Sequence, residues 1–188
     1  FTTFIKADEL ENHLGKRDWV IFGCRFWLQE PGRGLREYKQ AHLPGAISVD
    51  LDKDLSGPIH PTKTGRHPFP DPAGFSRQLG AWGVDTDSQV VAYDQLNGAI
   101  AARMWGLLRW LGHKKVAVLE GGWEHWQEEG RPVTGEVPDP VPTVFTPDLN
   151  RDFLVDTDFV HSILDQEEYL LVDSRTPERY RGEEEPID

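Results

Sequence analysis

Thiols are nearly absent from this sequence, which has one cysteine, Cys24, in 188 residues. A lone cysteine excludes an internal disulfide, and it favours a reducing compartment such as the cytoplasm. It also excludes zinc sites built on cysteine pairs, and the seven histidines show none of the spacings of a zinc-binding motif. We therefore predict neither a metal site nor a bound cofactor.

Positive charge and long apolar runs are also scarce. The chain has 20 Lys and Arg against 32 Asp and Glu, a formal net charge of −12. This balance argues against nucleic acid as the main partner, because phosphate binding needs a basic patch. No apolar stretch approaches the roughly 18 residues of a membrane span, so we expect no membrane partner. The excess negative charge is interpreted as favouring solubility rather than as an acidic docking surface.

Hydrophobic residues make up 38% of the chain, including seven Trp, so we expect a packed core. Residues 90–126 predict a strand, a loop, a helix, a second strand, a turn and a second helix. Residues 90–93 form a short apolar run typical of a buried parallel strand. Asp94 follows this run and precedes a helix N-terminus, where backbone N–H groups converge. Ligands of open α/β sheets gather at such loops.

The remaining pattern predicts further elements on both sides of this stretch. Helices are predicted at residues 7–14, 75–82 and 156–164, and strands at residues 19–22, 47–51 and 169–172. Residues 52–71 are a long polar loop with four prolines, and loops of that length are usually functional or mobile. Residues 132–147 contain five prolines and predict an extended linker.

The beginning of the chain is weakly repeated after the linker. A helix, a buried strand, an arginine and a tyrosine recur, with Arg25 and Tyr38 matched by Arg175 and Tyr180. The second copy reaches residue 188 without repeating the His-x-Pro-Gly of the first, and about 40 residues cannot form a core alone. The start of the chain also lacks both a Met and the layout of a signal peptide. We therefore expect one piece of a longer protein, with a first domain at 1–132, a linker at 133–150 and the start of a second domain at 151–188.

Six motifs point together to one family: GCR and DSR after the matched strands, HLPGA, GRHPFP, VVAYD…GAIAARMWGLLRWLGH and VAVLEGGWEHW. This combination resembles the two-domain rhodaneses, which are thiosulfate and 3-mercaptopyruvate sulfurtransferases. The resemblance implies an α/β fold with a parallel sheet flanked by helices, in tandem domains of which the second is truncated here. It also implies two partners, a small anionic sulfur donor and the remainder of the same protein.

In the family, the catalytic cysteine lies in the loop after the central strand of the C-terminal domain. Asp94 stands at the matching place of the first domain, so we predict no catalytic residue in this chain and a nucleophile beyond residue 188. A carboxylate cannot carry a sulfane sulfur as a thiolate can, so Asp94 is predicted to cap its loop. Cys24 is expected to be a small buried residue. Gly23 departs from the family, which more often has Asp there, as at Asp173.

Four residues are predicted to bind the sulfur donor. Arg103 lies about one turn into the helix after the Asp94 loop, and a guanidinium suits a carboxylate or thiosulfate. The resemblance assigns it to substrate, while an internal salt bridge is the alternative. Asp52 and His67 flank the long loop, where 3-mercaptopyruvate sulfurtransferases have an Asp and a His beside the cysteine. Arg66 would add positive charge, and His42 is expected to make a hydrogen bond within its turn.

Two functions remain open at this point. The first is the N-terminal part of a sulfurtransferase that moves a sulfane sulfur from thiosulfate or 3-mercaptopyruvate to a thiophilic acceptor. The second is a non-catalytic rhodanese-like module that binds a partner or an anion. A cysteine-bearing loop beyond residue 188 would distinguish the first function from the second.

Overall fold

The computed structural model describes residues 1–185, and strands and helices alternate from β1 to α5. The strands are β1 (Phe4–Ile5), β2 (Trp19–Gly23), β3 (Ile47–Ser48), β4 (Gln89–Tyr93) and β5 (Val116–Leu119). The helices are α1 (Ala7–Glu11), α2 (Arg33–Gln40), α3 (Pro72–Ala81), α4 (Ala101–Trp110), α5 (Gly122–Glu128), α6 (Thr157–Ile163) and α7 (Pro177–Tyr180).

The five strands form one sheet in the order β1-β5-β4-β2-β3, and every pair in it is parallel. The central strand β4 pairs with β2 on one side and with β5 on the other. Parallel strands are joined by crossover helices, which cover both faces of the sheet. The predicted α/β fold, a parallel sheet flanked by helices, is thereby confirmed.

All five residues of β4 are buried, because its two sets of alternate side chains enter two different cores. Val90 and Ala92 pack in the core that contains residues of α3 and α4. Val91 and Tyr93 pack in the opposite core, with residues of α1 and α5. This double burial explains why the strand reads as a continuous apolar run rather than as an alternating one.

Two predicted helices have different limits in the structure. Helix α3 begins at Pro72 rather than at residue 75, since the Asp71 side chain accepts a hydrogen bond from the Gly74 amide at 2.6 Å and proline is favoured in a first turn. Helix α1 ends at Glu11 rather than at residue 14, and the chain then turns through Gly15, whose φ is +75°.

The strand predicted at 47–51 is wrong beyond Ser48. Val49 still donates a backbone hydrogen bond to the Gly23 carbonyl of β2, at 3.0 Å. The Asp50 carboxylate then accepts hydrogen bonds from the amides of Asp52 at 2.9 Å and Lys53 at 3.2 Å. A side chain that binds its own following amides holds a turn, and the chain leaves the sheet there.

The chain divides into two compact units, Phe1–Arg151 and Asp152–Asp188. The predicted linker, residues 133–150, packs within the first unit, and we call it the strap. Thr134 exchanges two backbone hydrogen bonds with His42, Thr143 donates to the Gly80 carbonyl at 2.8 Å, and Phe145 is buried in the core. The predicted domain boundaries at 132 and 150 stay predictions.

The second unit contains α6 and α7 but no strand among its described residues. The predicted helix at 156–164 forms as α6, capped by Asp156, whose carboxylate accepts from the Phe159 amide at 2.8 Å. The buried strand predicted at 169–172 is wrong, since this segment is irregular and Leu170 is 87% exposed. A parallel strand needs a hydrogen-bonded neighbour, and the described residues of this unit supply none.

Neither a membrane span nor a metal cluster is found within residues 1–185. The longest helices there have ten residues, and none combines the length and apolarity needed to cross a bilayer. The same residues contain no group of three or more His, Cys, Asp or Glu side chains placed to hold a metal ion.

Candidate functional site at the carboxyl edge of the sheet

The crossover from β2 leads to one side of the sheet and that from β4 to the other, so the loops after these two strands lie side by side. In open α/β sheets such a switch point forms the crevice where ligands bind. Gln95 joins the two loops, because its Nε2 donates to the Phe26 carbonyl at 2.5 Å and its Oε1 accepts from the Phe26 amide at 3.3 Å. These two hydrogen bonds therefore hold the two loops of the switch point together.

The carboxylate of Asp94 fills the loop after β4. Its Oδ1 accepts hydrogen bonds from the amides of Leu96 and Gly98, each at 2.8 Å. Its Oδ2 accepts from those of Ile100 at 2.6 Å and Ala101 at 2.7 Å, at the start of α4. The residue is fully buried, and a carboxylate with four amide donors is satisfied on both oxygens. The structure thus gives Asp94 the predicted capping role and leaves no oxygen free to act as a nucleophile.

The backbone of this loop is fixed as firmly as its side chain. The Asp94 carbonyl accepts from the Trp123 amide at 2.8 Å, which ties the loop to the start of α5. A Cβ atom on Gly122 would lie 2.4 Å from that carbonyl oxygen, so this contact requires glycine. Asn97 adopts φ of +52°, a left-handed conformation that asparagine tolerates better than most residues.

Cys24, at the end of β2, is buried and packs in the core. Its Sγ contacts the Phe22 carbonyl oxygen at 3.9 Å. Burial, with added repulsion from Asp94 and Asp54, raises the pKa of the Cys24 thiol well above its usual value. Since the thiolate is the nucleophilic form, Cys24 is a packing residue in this structure, as predicted.

Arg25 holds α2 against the carboxyl edge of the sheet. Its Nη1 donates to the Ala41 carbonyl at 3.0 Å, its Nη2 pairs with Glu37, and its guanidinium lies 4.6 Å from the ring centre of Trp123. The side chain is only 5% exposed, so the arginine is structural. Gly23 before it is also explained, because a Cβ there would lie 2.8 Å from the Tyr93 hydroxyl.

Arg103 fastens the long loop that follows β3. Its Nε and Nη2 donate to the Leu55 carbonyl at 3.2 and 3.1 Å, and Nη2 also donates to the carbonyls of His67 at 3.0 Å and Pro68 at 2.8 Å. The guanidinium lies 4.4 Å from the ring centre of Phe69, and its burial lowers the pKa of Arg103. The guanidinium thus joins two distant parts of the loop, and within the described residues no salt bridge involves it.

Asp52 and His67, predicted from the two ends of the long loop, meet in the structure. The Nε2 of His67 lies 2.8 Å from the Asp52 Oδ1, and the imidazole meets the Phe26 ring edge-on at 6.2 Å. Phe26 belongs to the switch point, so the pair lies beside it. Arg66 precedes His67 and is partly exposed. The loop therefore brings an acid–imidazole pair to the carboxyl edge, with Arg66 next to His67 in the chain.

His42 makes the predicted turn contact and a second one to the strap. Its Nδ1 lies 2.6 Å from the Tyr38 carbonyl oxygen, and its Nε2 lies 3.0 Å from the Glu136 carbonyl oxygen. The imidazole is fully buried and stacks on the Tyr38 ring at 3.8 Å. His42 is thus a structural residue that fixes the strap.

Sequence reasoning missed the bracing of the switch point by Gln95 and Phe26. These residues are 69 positions apart, and their contact runs from a side chain to a backbone. No periodicity or local motif reports such a contact, because any side chain at position 26 presents the same backbone groups.

Comparison with known proteins assigns this chain to a known family. The model of the rhodanese-like domain matches residues 6–129. The chain belongs to the rhodanese-like domain family. In this rhodanese-like domain, the loop after the central strand contains a carboxylate bound by its own amides.

Two curated relatives are sulfurtransferases by name. A probable 3-mercaptopyruvate sulfurtransferase of Pseudomonas aeruginosa is 42% identical over 185 residues, which cover 98% of this chain and 65% of that protein. A thiosulfate sulfurtransferase of Bos taurus is 37% identical over 151 residues, which cover 78% of this chain and 49% of that protein. The rhodanese-like chain therefore spans about half to two thirds of the length of these relatives.

Two solved structures of 3-mercaptopyruvate enzymes have the same fold. SseA from Escherichia coli superposes with a TM-score of 0.84 at 27% identity, over 97% of this chain and 69% of that one. The 3-mercaptopyruvate sulfurtransferase from Leishmania major gives 0.78 at 27% identity, over 96% and 48%.

Proposed function

We propose that this chain is the N-terminal part of a sulfurtransferase that takes a sulfane sulfur from thiosulfate or 3-mercaptopyruvate and passes it to a thiophilic acceptor. The observation that carries this proposal is the 42% identity to a probable 3-mercaptopyruvate sulfurtransferase over 98% of the chain. Because the match covers 65% of that relative, we propose that the active cysteine belongs to a second rhodanese-like domain supplied by the rest of the protein. A reducing compartment such as the cytoplasm would keep that thiol available.

The proposed reaction has two steps. A cysteine thiolate of the second domain attacks the sulfane sulfur of the donor, an S–S bond forms, and the bond from that sulfur to the rest of the donor breaks. Sulfite leaves from thiosulfate, or pyruvate leaves from 3-mercaptopyruvate as an enolate that takes up a proton. An acceptor such as cyanide or a thiolate then attacks the outer sulfur and releases the cysteine thiolate.

In this reaction we propose that the present chain supplies binding and positioning groups. Both donors are anions and must approach a thiolate, and cations reduce that repulsion. The Asp52–His67 pair is suited to hold a donor group or to move a proton, and we propose that Arg66, the chain neighbour of His67, supplies the positive charge. Arg103 fixes the loop that bears them, so we propose that it also governs donor binding.

The alternative, a non-catalytic binding module, is favoured by two observations within the first unit. The Asp94 loop is filled by its own carboxylate, and Cys24 is buried. Both proposals agree that this domain alone has no nucleophile. They differ in whether a partner domain provides one.

A cyanolysis assay tests the proposal. We expect no thiocyanate from thiosulfate and cyanide with the 188-residue chain, and turnover with a protein extended through a complete second domain. Cys24→Ser in the longer protein should leave that turnover unchanged. Robust turnover by the short chain, or its loss on Cys24→Ser, would contradict the assignment. An inactive longer protein with both donors would support the binding module.

A further inference from the structure

One cavity of the first unit lies away from the carboxyl edge. It has a volume of about 590 Å³ and is bounded by the start of β2, the turn before β3, the end of α3 and the strap. Small-molecule sites in proteins are typically about 300–1,000 Å³ and mostly apolar. The size and location of this cavity therefore suit a ligand that is separate from the sulfur donor.

Part of the cavity wall is apolar and held in place by neighbouring rings. It includes the indoles of Trp19 and Trp82 and three prolines, Pro44, Pro138 and Pro140. The Trp19 ring stacks on His13 at 3.9 Å, and the Trp82 ring meets Phe22 edge-on at 5.3 Å. Since neighbouring rings support both indoles, little ordering is needed when a flat ligand binds.

Charge at the cavity is divided between its walls. Lys16 and Arg17 lie on the turn before β2, and within residues 1–185 neither forms a salt bridge. The Asp85 carboxylate is engaged, because its Oδ1 accepts from the Asp87 amide and from Ser88, which lowers the pKa of Asp85. Asp85 keeps its negative charge, and Asp139 on the strap wall is the second acid. The turn wall thus offers two adjacent cations.

The part of the strap that lines the cavity is fixed on both sides. One end is held by Glu136, whose carbonyl oxygen lies 3.0 Å from the His42 imidazole, and the other by Thr143, bonded to Gly80 and Val84. In the described part of the chain, residues 137–142 make no backbone hydrogen bond, and three of them are prolines. Outward displacement of this segment would therefore break no backbone hydrogen bond.

We propose that this cavity binds a planar aromatic molecule with one negative charge, such as an arene carboxylate or sulfonate. The ring lies between the indole and proline walls, and the anion faces Lys16 and Arg17. The proposal goes beyond sulfur transfer and does not depend on it.

Indole resonances give a direct test, with naphthalene-2-sulfonate as the probe. The chain has seven Trp, so a ¹⁵N-labelled sample shows seven indole N–H signals. Those of Trp19 and Trp82 can be assigned with Trp19→Phe and Trp82→Phe. We expect saturable shifts concentrated on these two signals. Shifts concentrated on other indoles, or no saturation up to about 1 mM, the weak end of specific binding, would overturn the proposal.

Charge reversal tests the anion end. Lys16→Glu with Arg17→Glu should weaken binding at least about tenfold, since both attractions become repulsions. The matched control is Lys53→Glu with Lys63→Glu, which makes the same change in net charge on the exposed long loop. The affinity of this control variant for naphthalene-2-sulfonate should stay within about twofold of that of the unmodified chain. Equal weakening in the two variants would overturn the proposal by showing that only net charge matters.

Discussion

Asp94 shows how one side chain can decide what a loop is able to do. Four backbone amides converge on its carboxylate, two of them at the N-terminus of α4, where the helix dipole favours negative charge. A loop of this shape stabilises an anion at its centre, and here the chain supplies that anion itself. The loop is therefore stable and occupied rather than open to substrate.

Removing the carboxylate should cost much of the stability of the first unit. Asp94→Ala leaves four amides without their acceptor, and an unsatisfied buried donor costs about 1–3 kcal/mol, so we expect a loss of at least about 3 kcal/mol. Asp94→Asn keeps one oxygen acceptor and should lose less. The free energy of unfolding is measured in urea by tryptophan fluorescence, since all seven Trp lie in the first unit.

The control for this measurement is Asp139→Ala. Asp139 is exposed on the strap, so its loss should change the free energy of unfolding by less than about 0.5 kcal/mol. An Asp94→Ala variant as stable as this control would show that the amides are satisfied without the carboxylate.

At the scale of elements, local patterns were predictable and distant contacts were not. The apolar run at 90–93 and the capping role of Asp94 follow from neighbouring residues, and the structure contains both. Arg103 was assigned to an anion mostly because of the family resemblance, which its charge and its place one turn into a helix supported. Its acceptors, however, include a backbone carbonyl 48 residues away. A carbonyl has no residue type, so only the folded loop reveals that partner.

Arg103 should control the order of the long loop. Arg103→Ala removes the hydrogen bonds that join Leu55 to His67 and Pro68. Hydrogen bonds from a charged group contribute about 1.5–3 kcal/mol, so local opening should rise about ten- to a hundredfold. Limited digestion with trypsin measures this opening, since the loop contains Lys53 and Lys63.

Arg109→Ala is the matched control, because Arg109 lies on the same helix and packs on Trp105. In the Arg109→Ala variant, trypsin should cleave the long loop at the same rate as in the unmodified chain. In Arg103→Lys the cleavage rate should be intermediate, since an ammonium lacks the planar fork of a guanidinium. Equal cleavage of the Arg103 and Arg109 variants would remove the loop-fastening role. In a protein with both domains, Arg103→Ala should also raise the KM of the donor about tenfold or more if the loop positions the donor site.

At the scale of the whole molecule, the two units differ in how completely they bury their apolar residues. The first has two hydrophobic cores, one on each face of its sheet, and about 150 residues suffice for an independent domain. In the second unit, Leu170 and Val172 are 87% and 73% exposed. This difference agrees with the proposal that a complete second domain would cover them.

The first unit includes the strap, and truncation of the chain tests this boundary. A chain ending at Arg151 retains the strap, so its free energy of unfolding by tryptophan fluorescence should match that of the full chain within about 0.5 kcal/mol. A chain ending at residue 132 loses the buried ring of Phe145 and the acceptors of His42 at Thr134 and Glu136. Burial of a Phe side chain contributes about 1.5–3 kcal/mol, and each lost buried hydrogen bond adds about 1 kcal/mol, so we expect at least about 3 kcal/mol less stability.

Phe145→Ala in the chain ending at Arg151 should reproduce most of that loss. If the chain ending at 132 were as stable as the longer one, the strap would be a linker and the boundary would lie before it.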